Sequence, residues 1–179
     1  MQIFKSEYKF YGKHADYINQ LKAHKFFSYN YEFLYIAPLY GLYRNRKGKP
    51  ETTELLIKVP FEQIYAKRDK IELSYRLVLL GGVKPEDFES FSDRFFREVE
   101  PDPVHLASFE AYLFGGIEAL FEELVASVPS NPLDKTQAIA QLIDELNTSN
   151  SCVDKSVILD LTKEVPSKPN LIDKTEIGS

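Results

Sequence analysis

The sequence predicts a mainly α-helical fold: one compact domain of about six or seven helices over residues 1–147, then a polar linker and loose tail over 148–179. Three observations carry this. Apolar residues recur at steps of three and four along most of the chain. Pro or an Asp/Asn cap stands where these stretches begin, and Gly or Pro where they end. The composition, 44% hydrophobic and 13% aromatic in 179 residues, supplies apolar surface for a single core.

Residues 3–11 alternate weakly, which suits an extended segment, and Gly12 ends it. Over 14–26, Tyr17, Ile18 and Leu21 share one face of a short amphipathic helix. Ser28 or Asn30 can cap the next element. In 31–46, Phe33, Leu34, Ile36, Leu39, Tyr40, Leu42 and Tyr43 surround the axis, so this element is buried. Its length favours one helix bent at Pro38, whose ring removes the bond to the i−4 carbonyl. A strand followed by a helix starting at Pro38 is the alternative. Thr52 and Thr53 can cap a helical continuation over 54–59, which Pro60 breaks.

From 61 to 80, Phe61, Ile64, Tyr65, Ile71, Tyr75, Val78 and Leu79 follow the helical period, so one helix is expected, stopped by a left-handed Gly81-Gly82. Pro85 opens another, with a stripe of Phe88, Phe91, Phe95 and Phe96. Asp102 caps the clearest helix, 104–128, in which Leu106, Phe109, Leu113, Ile117, Leu120 and Leu124 make the apolar face. Gly115-Gly116 sits in its middle. Each Gly there costs about 1 kcal/mol against Ala, which points to close approach by a neighbour. Asn131 and Pro132 begin a helix running to about 147, and 153–161 forms a short helix or strand. Pro166 and Pro169 mark the tail.

The chemical inventory is sparse. One Cys excludes an intrachain disulfide and any Cys-based metal cluster. His14, His24 and His105 form no HxxxH or HExxH pair. Neither a GxSxG elbow nor a GxxxxGK[ST] loop is present. Carboxylate pairs such as Asp87 with Glu89, or Glu122 with Glu123, are common in an acidic half and are expected on a solvated face. No catalytic residue, cofactor or metal is therefore expected. The longest apolar run, 33–43, is too short to span a membrane, which takes about 20 residues. The start of the chain lacks the apolar region of a secretory signal, and a cytoplasmic protein is expected.

Charge is divided unevenly. Residues 1–80 hold 14 Lys and Arg against 8 Asp and Glu, a net of +6; residues 81–179 hold 8 against 19, a net of −11. Ten of the 11 Tyr also lie at or before Tyr75. The run Arg44-Asn45-Arg46-Lys47-Gly48-Lys49-Pro50 is a basic loop, either simply solvated or a contact for an anion or nucleic acid. With Lys67, Arg68 and Lys70 it makes the candidate anion- or partner-binding set. Arg76, Arg94 and Arg97 are embedded in apolar sequence and need an anion or a path to solvent. Glu110 and Glu118 are candidate partners for buried ion pairs; recognition of an anionic ligand is the alternative.

The segments Ala37-Pro38-Leu39-Tyr40-Gly41-Leu42, Tyr75-Arg76-Leu77 and Tyr112-Leu113-Phe114-Gly115-Gly116-Ile117-Glu118 resemble small helical bacterial proteins found in phage-defence gene clusters. The resemblance spans about residues 14–125. It implies an accessory role beside larger nucleases or ATPases and brings no catalytic residues. The expected function is thus a non-enzymatic interaction or scaffold subunit, with a protein partner or a second copy. The alternative is a nucleic-acid-binding accessory protein, for which Lys13, Lys22 and Lys25 would join the basic set.

Overall fold

Two short strands, far apart in sequence, are the first thing helical periodicity does not show. In the computed structural model, which describes residues 1–82, 100–126 and, within 136–148, residues 136–137, 139–141, 143–145 and 148, Tyr8–Tyr11 (β1) pairs antiparallel with Leu56–Val59 (β2). The register sets Tyr8 opposite Val59 and Phe10 opposite Ile57 on the covered face, and Lys9 opposite Lys58 outside. Two opposed lysines repel. Glu7 Oε1 lies 2.9 Å from Lys9 Nζ and 3.7 Å from Lys58 Nζ, and offsets that repulsion. The helical continuation expected over 54–59 is therefore a strand. Its alternation, Ile57 and Val59 in, Leu56 and Lys58 out, is the period of two.

Gly12 does not break the chain but turns it from β1 into the helix Gly12–Ala23 (α1), with φ of +56°. A side chain there would strike the Glu51 carboxylate and the Thr53 hydroxyl. α1 buries His14, Ala15, Ile18 and Leu21. It ends with Phe26 N donating to Leu21 O and Lys25 N to Lys22 O, around a left-handed Lys25.

The segment left open as helix or strand-plus-helix is a 3-10 turn, Asn30–Glu32, and one α-helix, Phe33–Tyr43 (α2), with Pro38 inside it. The cap comes from Glu32, which accepts from the backbone N–H of Ser28 and Tyr29 at 2.8 Å. α2 ends in the same motif as α1: Arg46 N donates to Gly41 O and Asn45 N to Leu42 O, with Asn45 left-handed.

The single helix expected over 61–80 is two, Phe61–Ala66 (α3) and Arg68–Gly81 (α4). They break at Lys67, whose φ and ψ of −116° and 13° leave the helical well. Pro60 is the N-cap of α3. α4 stops without a left-handed glycine: Gly82 has φ of −90°. The helix expected from Pro85, with its Phe stripe and with Arg94 and Arg97, lies outside the described residues.

Pro103–Phe121 (α5) begins as its sequence predicts. Asp102 accepts from Val104 N at 2.8 Å, and Pro103 fills the first turn. It is buried nearly all round from Phe109 to Leu120. Where simple continuation to 128 was expected, a π-helical turn, Glu122–Ala126, succeeds it. α2 crosses α5 at backbone contact. A Cβ on Gly116 would meet the Ala37 carbonyl, and one on Gly41 the Tyr112 carbonyl. This is the close approach that the paired glycines required.

The chain divides into two units, Met1–Ala138 and Ile139–Ser179. In the second, residues 139–141, 143–145 and 148 are helical, and Thr148 Oγ1 donates to Asp144 O at 2.7 Å. The elements expected beyond residue 150 lie outside the described residues. The described residues are thus mostly helical with one small sheet, and no helix among them is long and apolar enough to cross a membrane.

Candidate functional site

The basic loop was expected to be solvated or to face a ligand; its first three cations lie against α5 and the π-helical turn that follows it, with Lys47 still exposed. Arg44 Nη2 lies 2.6 Å from Glu123 Oε2. Tyr40 OH donates to the same oxygen and accepts from Arg44 Nε at 3.1 Å. Arg46 is bidentate on Glu122, one bond being 2.7 Å, and its Nη2 also reaches Glu118 at 3.1 Å. Lys47 Nζ sits 4.8 Å from the Tyr112 ring centre. The Gly48 N–H donates to Ala111 O at 2.8 Å, which ties the loop backbone to the helix. Lys49 is exposed.

Glu122 is exposed, as expected, and Glu123 half-buried, and both are ion-pair partners. The π-helical turn inserts at this point and carries both residues. Hydrogen bonding from Arg46 holds the Glu122 carboxyl below the ordinary range, and the same contact pushes the Arg46 guanidinium further up.

Glu118 joins this network to α1. It accepts from Lys13 Nζ at 3.0 Å and meets His14 Nε2 at 3.1 Å. Burial alone would push its carboxyl up, but hydrogen bonds from Lys13 and His14 outweigh that and hold it low. A carboxylate only accepts, so His14 donates through Nε2–H. His14 is fully buried, its ring centre 4.8 Å from that of Phe114, and its Nδ1 has no partner. Burial pushes its pKa down despite Glu118. A neutral, structural imidazole results. Among the described residues no group of His, Cys, Asp and Glu could hold a metal ion.

The expected ion pairs are distributed differently. Arg76 bonds Glu72, one turn back on α4, through Nε at 3.0 Å and Nη2 at 2.9 Å. Glu118 serves Lys13, His14 and Arg46, while Glu110 accepts from Tyr8 OH at 2.9 Å. Arg94 and Arg97 lie outside the described residues.

The second basic cluster is organised otherwise. The α3–α4 break brings Lys67, Arg68 and Lys70 beside tyrosines from three elements. Lys67 Nζ lies 5.6 Å from the Tyr31 ring centre, Arg68 Cζ 4.7 Å from Tyr65, and Lys70 Nζ 5.4 Å from Tyr35. Tyr29 stacks on Tyr31 at 5.2 Å with planes 10° apart. Lys22 Nζ bonds Asn30 Oδ1 at 2.7 Å at the edge of this group. Tyr29 and Tyr65 are 55% and 50% exposed, so the ledge faces solvent. Asp69 stands 3.5 Å from Arg68, but among the described residues no carboxylate comes within ion-pair distance of Lys67 or Lys70. The cations were legible in the sequence. The tyrosines were visible only as a bias toward the first half of the chain, because α2, α3 and the 3-10 turn bring them together.

Comparison of the chain with protein-family models, curated proteins and solved structures finds no match in any of the three.

Proposed function

We propose that the chain is a non-enzymatic accessory module that binds single-stranded nucleic acid on the ledge of Tyr29, Tyr31, Tyr35 and Tyr65 with Lys67, Arg68 and Lys70. One observation carries the reading: tyrosine rings, Tyr29 and Tyr65 well exposed, interleaved with cations, two of which meet no carboxylate among the described residues. Stacking on an exposed ring is sequence-tolerant and contributes about 1–3 kcal/mol per base. Lysines that are not already neutralised release counterions when they meet phosphate. The loop cations Arg44 and Arg46 already have carboxylates and are not assigned to this surface. An accessory role beside a larger nuclease or ATPase, which the resemblance of segments 37–42 and 112–118 implies, suits a chain that holds a polymer without cutting it.

The test is fluorescence anisotropy with a labelled oligo-dT 12-mer across a salt series. Three phosphate contacts predict a slope of log K on log salt of about −2. Reversing Lys67, Arg68 and Lys70 to Glu should abolish binding, and Tyr31→Ala should weaken it about tenfold or more. Absence of binding at 50 mM salt, or binding indifferent to both changes, overturns the proposal.

A protein partner is a second reading, favoured by Leu73 and Leu77. They are one turn apart on α4 and 59% and 44% exposed. Loss of a co-purifying partner on Leu73→Glu would favour this reading over the first.

A further inference from the structure

We propose that the Glu110 carboxylate anchors an organic cation, an alkylammonium or guanidinium group, in the cavity walled by Phe4, Tyr8 and Leu106. The cavity measures about 410 Å3, within the range of small-ligand sites. Tyr8 and Glu110 also line a second hollow of about 210 Å3, beside Tyr11 and Phe114. The pair is therefore common to two openings in the fold.

Charge accounting gives the ligand its sign. Lys5, Glu7 and Glu100 also line the larger cavity. Lys5 and Glu100 neutralise each other at 3.0 Å, and Glu7 is paired with Lys9 and Lys58. Glu110 is the carboxylate left over. It is half-buried, and its partner is the neutral Tyr8 hydroxyl, 2.9 Å away. Among the described residues no cation reaches it.

One hydroxyl satisfies only part of a carboxylate, which offers about four lone-pair positions. A partly desolvated carboxylate without a cation is unfavourable, and burial accordingly pushes the Glu110 carboxyl up. An entering ammonium or guanidinium supplies the missing charge and donors. Phe4 and Tyr8, with ring centres 4.5 Å apart, give the cavity an aromatic wall against which the alkyl part of such a cation can pack. The site shares no residue with the tyrosine ledge, so it stands or falls independently of nucleic-acid binding.

The test uses the full 179-residue chain, labelled with 15N, and two probes of one shape: n-butylammonium and 1-butanol. Butylammonium should shift the amides of Tyr8, Leu106 and Glu110 and bind at least tenfold more tightly than butanol. Glu110→Gln keeps an acceptor for Tyr8 and should weaken butylammonium at least tenfold. Asp69→Asn, which alters an exposed carboxylate beside Arg68 that lines neither hollow, should change it less than twofold. A capped Gly-Lys-Gly peptide separates the sources. Binding as tight as that of butylammonium marks a socket for a partner's lysine, and binding of the free amine alone marks a small-molecule site; either upholds the cation pocket. Equal binding of butanol and butylammonium overturns it. So does wild-type affinity in Glu110→Gln, or an equal loss in both variants. The comparison on the unmodified chain decides the matter even if Glu110→Gln does not fold.

Discussion

His14 shows how a single side chain ties stability to pH. Its ring is fully buried and neutral, and its folded pKa lies below the free value of 6.5. Lys13, Glu51 and Glu118 are the charged groups around it, and Glu118 is held ionised well below neutrality. A group with a depressed folded pKa takes up a proton on unfolding. Its contribution is thus complete above about pH 6.5 and lost as pH falls through and below that value. One proton sets a limiting slope of about 1.4 kcal/mol per pH unit. Urea midpoints should fall between pH 7.5 and 5.5 for the native chain. In His14→Gln, which cannot titrate, they should fall distinctly less over the same interval, though from a lower starting stability. Equal falls in both chains would show that other groups set the dependence.

At the scale of elements the α2–α5 crossing decides the fold, because two backbones touch there without side chains between them. Ala37 and Gly41 lie one turn apart on α2, facing Tyr112 and Gly116 on α5. A methyl group at Gly116 has no flexible neighbour to displace; it meets the Ala37 carbonyl and then the Gly41 amide. The helices must separate, and overpacking of this kind costs about 3 kcal/mol. Gly116→Ala should therefore lower the urea midpoint strongly. Gly82→Ala, whose Cβ would make ordinary contacts of 3.5 Å and 3.6 Å, should leave it nearly unchanged. Similar losses in the two variants would refute the argument.

A close neighbour at Gly115-Gly116 was legible in the sequence, since glycines inside a helical pattern need a spatial reason; that α2 is this neighbour was not. The start of α5 was legible, because Asp102 and Pro103 form a local signal. The sheet was not. Each strand has four residues, too few for a clear period, and the partners lie on either side of two helices. The break at Lys67 was hidden because neither Gly nor Pro marks it. Site geometry failed for the same reason of distance. Tyr8 and Glu110 are 102 positions apart, and Arg44 and Glu123 are 79 apart. Local pattern identifies charges but not their partners.

The whole molecule uses its two basic clusters in different ways, and that difference can be measured. The +6 of the first 80 residues looked like one surface in the sequence. In the fold, Arg44 and Arg46 tie the loop to α5 and the π-helical turn after it, whereas Lys67 and Lys70 stand beside rings with no carboxylate in ion-pair distance among the described residues. Stability and binding should therefore separate. Arg46→Ala removes a bidentate contact to Glu122, which is itself half-exposed, and one of three donors to Glu118. Exposure limits the loss to about 1 kcal/mol, or a melting shift of about 2–4 °C in a chain of this length. Reversal to Glu would place a third carboxylate among Glu118 and Glu122 and should cost about twice as much. Neither change should reduce oligonucleotide affinity more than about twofold under conditions where the chain is folded. Reversing Lys67, Arg68 and Lys70 should do the opposite: binding is lost while the chain stays folded, because each substitution at or near the surface shifts stability by only about 0.5 kcal/mol. Scanning calorimetry and anisotropy on the same preparations read both quantities. If the two sets of variants behave alike, the basic half acts as one diffuse field and the division of labour between loop and ledge is wrong.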